Sequence, residues 1–216
     1  MDLKRYQDVI DSCDGCLRAG NPSADLLELR GLAKAKRNDF AGAIEDYTLA
    51  LSQQPKASNL HGRRGWAYLV SGAAQLARRD FEEAIRLDTS NRDAYSGRGS
   101  ALVALGHYQD ATADAEESLR HGEPEPRLLY NAARILAQAA ESAGKEASRQ
   151  ARPEWASVRR YQDRALKLLG QALERTSREQ RPVFWREVIR ADRALSSIRR
   201  LPQYARWTAE YAETAR

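Results

Sequence analysis

The sequence predicts an all-α protein built as a stack of helix hairpins. Three observations carry that reading. An Arg-Gly-x-Ala pattern recurs every 34 residues, small residues recur in phase behind it, and the composition is that of a folded, helix-rich chain.

The pattern stands at Gly31, Gly65 and Gly99, each preceded by an arginine (Arg30, Arg64, Arg98) and followed two residues later by an alanine (Ala33, Ala67, Ala101). Twelve residues beyond each glycine comes Ala43, Ala77 or Ala111, and seven further on Ala50, Ala84 or Ser118. Small side chains at these points let two helices cross closely, and Phe40, Tyr47, Phe81 and Tyr108 fill the holes beside them. Each unit of 34 residues is therefore a helix pair, over 24–57, 58–91 and 92–125.

The same phase extends in both directions. Tyr6, Val9, Cys13, Cys16 and Leu17 lie 34 residues before Phe40, Ala43, Tyr47, Ala50 and Leu51, so 1–23 reads as the second helix of an incomplete repeat. One face of that helix lacks its neighbour, which implies an excerpt from a longer chain or an end covered by a partner, a homodimer through this half repeat included. Residues 126–176 read as a divergent fourth repeat. Ala133 takes the glycine slot, and Ala165 arrives late because a segment at about 144–157, with Pro153 and Trp155, is inserted. That segment either extends both helices or forms a loop. Beyond it, 177–216 reads as a terminal cap of three short helices at about 180–191, 193–200 and 203–214, with Pro182 and Pro202 near helix starts.

The spacing of Gly, Tyr, Ala, aromatic, Ala and Pro resembles the tetratricopeptide-repeat family in three full copies. Thr89 and Glu123 replace the closing proline seen as Pro55, and Leu27 and His61 stand where the family often has tryptophan. The resemblance implies a right-handed superhelical stack, an α-solenoid, that binds other proteins. The later run, Leu-Leu-Tyr-Asn-Ala-Ala-Arg and then Phe-Trp-Arg-Glu-Val, is similar to repeat regions of bacterial multidomain proteins, some carried behind serine/threonine kinase domains.

Composition narrows the classes further. Of 216 residues 42% are hydrophobic and 30% charged, which excludes a disordered chain. No stretch approaches the roughly 20 apolar residues of a membrane span, and the start has no signal-peptide core, so a cytoplasmic location with no membrane contact is expected. Cys13 and Cys16 are too few for a disulfide framework and fall in helix-crossing slots, so they read as small buried hydrophobes. Residues 1–125 hold 16 Lys and Arg against 20 Asp and Glu, and 126–216 hold 19 against 10. That asymmetry points to an acidic partner, a nucleic acid, or one half folding on the other.

Candidate sites follow from the phase. Asp46, Asp80 and Asp114 lie sixteen residues after Arg30, Arg64 and Arg98, which predicts structural ion pairs within each hairpin. The family's ligand groove is lined by first helices, and the resemblance places Glu28, Leu32, Arg63, Trp66, Val70 and Ser100 on it, followed by Tyr130, Asn131 and Arg134. Some relatives grip the C-terminal carboxylate of heat-shock chaperones with lysines, asparagines and an arginine. The corresponding places here hold Glu28, Leu32, Arg63, Asp93 and Gly97, or one repeat later Gly62, Trp66, Gly97, Arg127 and Asn131, so that clamp is missing. A basic patch of Arg159, Arg160, Arg199 and Arg200 near Trp155, Trp185 and Trp207 is the alternative, suited to nucleic acid or another anionic partner. His61, His107 and His121 fall at unrelated repeat positions and make no metal cluster. Phosphate-loop, nucleophile-elbow, zincin and kinase motifs are absent, so the expectation is a scaffold for a protein or peptide partner of unknown identity, with no enzymatic activity and no cofactor.

Overall fold

A computed structural model describes residues 3–20, 22–120, 122–149 and 155–213; His121, Pro153 and part of the inserted segment lie outside them. The described residues form helices and turns with no strand. The chain makes two compact units, Met1–Ala101 and Leu102–Arg216, and the division falls inside the third expected repeat.

The first unit contains α1 (Leu3–Arg18), α2 (Ala24–Lys36), α3 (Phe40–Gln53), α4 (Ser58–Val70), α5 (Ala74–Leu87) and most of α6 (Arg92–Ala104). Helices α2 and α3 pack as one pair, α4 and α5 as the next. The repeat glycine is where the second helix lays its ring. A Cβ on Gly31 would come 2.8 Å from Tyr47, and one on Gly65 would come 3.0 Å from Phe81. Both rings are fully buried. The starts of α2 and α3 are capped by side chains, with Ser23 accepting from the Leu26 amide and Asp39 from that of Gly42.

The turn inside each hairpin also repeats at 34. Asn38, Gly72 and Gly106 take φ values of 65°, 82° and 84°. That left-handed residue lets the next amide donate back over the helix end, from Asp39 to the Lys34 carbonyl at 2.9 Å and from Ala73 to that of Tyr68 at 2.9 Å. In the second unit His107 does the same to Leu102 at 2.8 Å.

Helix α1 packs on α2, with Ile10 and Cys13 buried. Its other side differs from that of α3. Where α3 has buried Ala43, Asp46 and Ala50, α1 has half-buried Val9 and exposed Ser12 and Cys16. The expectation that both cysteines are buried is corrected for Cys16, because the Ala50 slot of α3 is closed by the first helix of its own pair, and the Cys16 slot of α1 is open.

The second unit holds the end of α6, α7 (Tyr108–Glu117), α8 (Pro126–Ala147), α9 (Ala156–Arg175), α10 (Arg181–Val183) and α11 (Pro202–Glu213). The inserted residues lengthen α8 to 22 residues, against 13 for α2 and α4, and its partner α9 runs for 20. Ala133 and Ala165 are both fully buried in their crossing slots.

The cap departs from the expected three short helices. The three-residue α10 continues as a π-helix, Phe184–Ile189, and the second expected helix shrinks to a 3-10 turn, Arg193–Leu195, followed by further turns. The core explains both. The wider π spacing puts Trp185 and Ile189 on one side, with the Arg190 amide donating to the Trp185 carbonyl at 2.8 Å. The three-residue spacing of the 3-10 turns does the same for Leu195 and Ile198, and all four side chains are buried. Trp185 is the hub, with ring centroids 5.0 Å from Tyr204, 6.2 Å from Trp207 and 5.5 Å from Tyr211.

Candidate functional site

The arginines of the repeat pattern face inward. Arg30 donates through Nε and Nη2 to Asp46 at 3.0 and 2.5 Å, and through Nη1 to Asp14 at 2.6 Å. Arg64 donates through Nε and Nη2 to Asp80, both at 2.7 Å, and through Nη1 to Thr48 at 3.2 Å. Each arginine thus ties the second helix of its own pair to the second helix sixteen residues upstream. Lys34 adds a contact to Asp46 at 2.9 Å, and His61 Nδ1 lies 3.3 Å from Asp80. Burial pushes the Asp80 carboxyl up, but donation by Arg64 and then His61 outweighs it and holds the group below its ordinary pKa. The hydrogen bond to Asp80 raises His61 against the opposing effect of its burial. Arg98 belongs to the first unit and Asp114 to the second. Arg30 and Arg64 are thus engaged by side chains of the second helices on either side of them.

The first-helix face of unit one gathers the other nominated residues. Glu28 on α2 accepts from Asn59 Nδ2 at 2.9 Å and pairs with Arg63 Nε at 2.6 Å, both on α4. One turn further along, Leu32 is half-buried. Trp66 is half-buried and meets Phe81 edge-on, at 5.4 Å between centroids and 74° between planes. Val70 leaves 59% of its surface exposed at the end of α4. Ser100 on α6 donates to the Ser96 carbonyl at 2.9 Å. The face therefore offers an apolar strip of Leu32, Trp66 and Val70 beside an internally neutralised ion pair.

In unit two the nominated groove residues turn to the chain itself. Tyr130 OH donates to Asp192 Oδ2 at 2.7 Å, and Arg134 Nε donates to the same oxygen at 2.5 Å. The Arg134 guanidinium stacks 5.7 Å from the Tyr130 ring, whose edge meets Phe184 at 5.8 Å. Asn131 is buried. Tyr130 and Arg134, expected to await a partner, are engaged by the cap, because the cap's return leg folds over α8. Asp192 was not nominated from sequence. Its local signal is its place just before the 3-10 turn, where Oδ1 accepts from the Ala194 amide at 2.9 Å.

The basic and aromatic residues do not assemble into one stacking platform. Trp185 is 1% exposed and belongs to the core, while Trp155 is 46% exposed. Arg199 donates to the carbonyls of Arg190 and Asp192 at 3.0 and 2.8 Å, and Arg164 grips Glu116 through two bonds of 2.8 and 2.6 Å. Arg160 lies 5.3 Å from the Tyr161 ring, and Arg159 and Arg200 are exposed. Among the described residues no group of three or more His, Cys, Asp or Glu is placed to hold a metal ion, and no helix is long and apolar enough to cross a membrane.

Paired helices on a 34-residue period have a family counterpart: the tetratricopeptide-repeat profile matches residues 28–92. The crystal structure of MamA superposes with a TM-score of 0.63 at 18% identity, over 78% of this chain and 91% of MamA, a likeness of fold. Residues 28–92 of this chain are tetratricopeptide repeats. Its relatives include the SGT1 homologue of Oryza sativa subsp. japonica, 35% identical over 94 residues, 44% of this chain and 26% of that protein. The co-chaperone sgt12 of Aspergillus fumigatus is 32% identical over 101 residues, 47% of this chain and 30% of that protein. The Sgt2 repeat domain from Aspergillus fumigatus superposes with a TM-score of 0.51 at 28% identity, over 61% of this chain and 85% of the domain. The repeat protein thus spans under a third of the length of these curated relatives.

Proposed function

We propose that this chain is a non-catalytic adaptor that holds a peptide or helix of another protein on the first-helix face of unit one. The observation that carries the reading is the strip of Leu32, Trp66 and Val70. An aromatic ring fixed edge-on by Phe81 stands beside a valine 59% exposed, on a face the core leaves uncovered. Rigid aromatic anchors of this kind supply most of the energy at protein interfaces. The name of one relative, the Hsp70-Hsp90 organizing protein 2 of Arabidopsis thaliana, 26% identical over 103 residues, agrees with such a role.

The occupant differs from a chaperone tail. Glu28 and Leu32 stand where a carboxylate clamp needs donors, and Glu28 is itself an acid already paired with Arg63. The partner is therefore a segment with apolar anchors whose free C-terminus is not required. Within a larger regulatory protein, such a module would bring that segment to an effector.

The test is a peptide-display selection on the purified chain, followed by affinity measurement on Val70→Asp and Leu32→Asp. Binding should weaken at least about tenfold in each, corresponding to about 1.4 kcal/mol, and amidating the peptide C-terminus should leave it unchanged. Peptides that bind both variants as well as wild type, or that need a free carboxylate, would refute the assignment.

A further inference from the structure

The face of α8 that carries Tyr130 and Arg134 lies three periods after Glu28 and Leu32, so it is the counterpart, in unit two, of the face assigned above to a partner. It is not empty. The chain's own turn between the π-helix and the 3-10 turn places the Asp192 carboxylate there, on the Tyr130 hydroxyl at 2.7 Å and the Arg134 guanidinium at 2.5 Å. We propose that Tyr130 and Arg134 form a carboxylate-binding site which the chain fills with Asp192, and that an acidic side chain of a partner takes the same place when this turn lifts.

The geometry separates the carboxylate from the packing around it. Ile189, Leu195 and Ile198 are fully buried and hold the cap on α8, whereas Arg190, Ala191 and Arg193 beside Asp192 are exposed. Lifting the turn exposes few apolar atoms, because its anchors lie on either side of it and its own exposed side chains are polar or small. Besides its bonds to Tyr130 and Arg134, the turn is held locally by the Asp192 amide on the Ile189 carbonyl at 3.3 Å, the Leu195 amide on the Asp192 carbonyl at 3.3 Å and the Ala194 amide on Asp192 Oδ1 at 2.9 Å, and Arg199 donates to the carbonyls of Arg190 and Asp192. Arg134 remains about a third exposed with Asp192 in place, so an incoming acid meets a cation before the exchange is complete. A charge-assisted pair of this kind leaves the arginine half-buried and unpaired if the carboxylate is lost, which is the condition under which a substitute carboxylate binds.

The partner class rests on the adaptor reading, but the test does not. In Asp192→Ala the site is vacant, and sodium acetate is the probe, compared with sodium chloride at equal ionic strength. At an acetate concentration tenfold above its Kd the melting temperature of Asp192→Ala should rise by about 3 °C. Wild type and Asp192→Ala/Arg134→Ala should not distinguish the two salts. Equal melting of Asp192→Ala in both salts, or an acetate effect that survives loss of Arg134, would overturn the proposal. Should Asp192→Ala fail to fold, Arg199→Ala keeps the carboxylate but removes the two Arg199 bonds to its turn. A saturable acetate shift of Arg134 side-chain resonances there, at least fivefold larger than in wild type, supports the site, and no such shift refutes it. Failure of the peptide selection on unit one leaves these outcomes unaffected, so the two readings fail separately.

Discussion

Replacing Gly97 by alanine should destabilise unit one, although alanine is the better helix former. Relief from glycine's backbone entropy is worth about 1 kcal/mol in a helix interior. Against it, the new methyl would fall well inside contact distance of three atoms of the Phe81 ring. That ring is fully buried, and it cannot retreat, because the Gly65 backbone stands on its other side with room for a Cβ only at 3.0 Å. Overpacking of a rigid core costs about 1–3 kcal/mol, and a clash with a ring held from both sides lies at the upper end, leaving a net loss of about 2 kcal/mol. Gly62 provides the control on α4, since nothing stands within 4 Å of its added Cβ, and Gly62→Ala should gain up to about 1 kcal/mol. With a urea m-value of about 2 kcal/mol/M, the two midpoints should differ by roughly 1.5 M in a denaturation followed by circular dichroism. Gly97→Ala/Phe81→Leu should cost less than the sum of the single changes. Equal midpoints for Gly97→Ala and Gly62→Ala, or strict additivity in the cycle, would refute the claim that the second-helix ring is clamped between consecutive first helices.

Three further outcomes follow from the same geometry. Arg64→Ala should cost about 3 kcal/mol by leaving buried Asp80 with His61 alone, and Arg30→Ala should cost less because Lys34 still reaches Asp46, as paired thermal melts will show. The His61–Asp80 contact is sensitive to pH in a defined direction. The raised His61 pKa makes its contribution complete below the unfolded value near 6.5 and lost as pH rises through the folded value. The lowered Asp80 pKa makes its contribution present above the ordinary carboxylate range and lost on acidification through the folded value. The Tm gap between wild type and His61→Gln should therefore shrink from pH 6 to pH 8, and a gap constant over that range would contradict the pairing. Trp185→Ala should cost about 3–5 kcal/mol by emptying the hub of the cap, read as loss of cooperative unfolding in the near-ultraviolet signal.

The hairpins were legible because crossing positions demand small residues, so the 34-residue period is written in Gly31, Gly65 and Gly99 and their alanines. The same period marks the left-handed turns at 38, 72 and 106, but asparagine in the first copy hides it behind a different residue type with the same conformational tolerance. Only half of each arginine's role could be read from spacing. The aspartates sixteen residues downstream repeat, whereas the upstream contacts are made by Asp14 in one repeat and Thr48 in the next. Outside the repeats the sequence is a weaker guide. Nothing in the spacing connects Asp192 with Tyr130, 62 residues earlier, because the cap has no second copy to set its register. The π and 3-10 turns follow from where Trp185, Ile189, Leu195 and Ile198 must point, a tertiary demand that overrides local helical pattern.

The adaptor reading meets its most direct test when a photo-crosslinking phenylalanine derivative is placed at position 70, on the first-helix face, and separately at position 49, an exposed leucine of α3. With a display-selected peptide bound, position 70 should crosslink to it and position 49 should not. Crosslinking at position 49 with none at position 70 would show that the partner sits elsewhere.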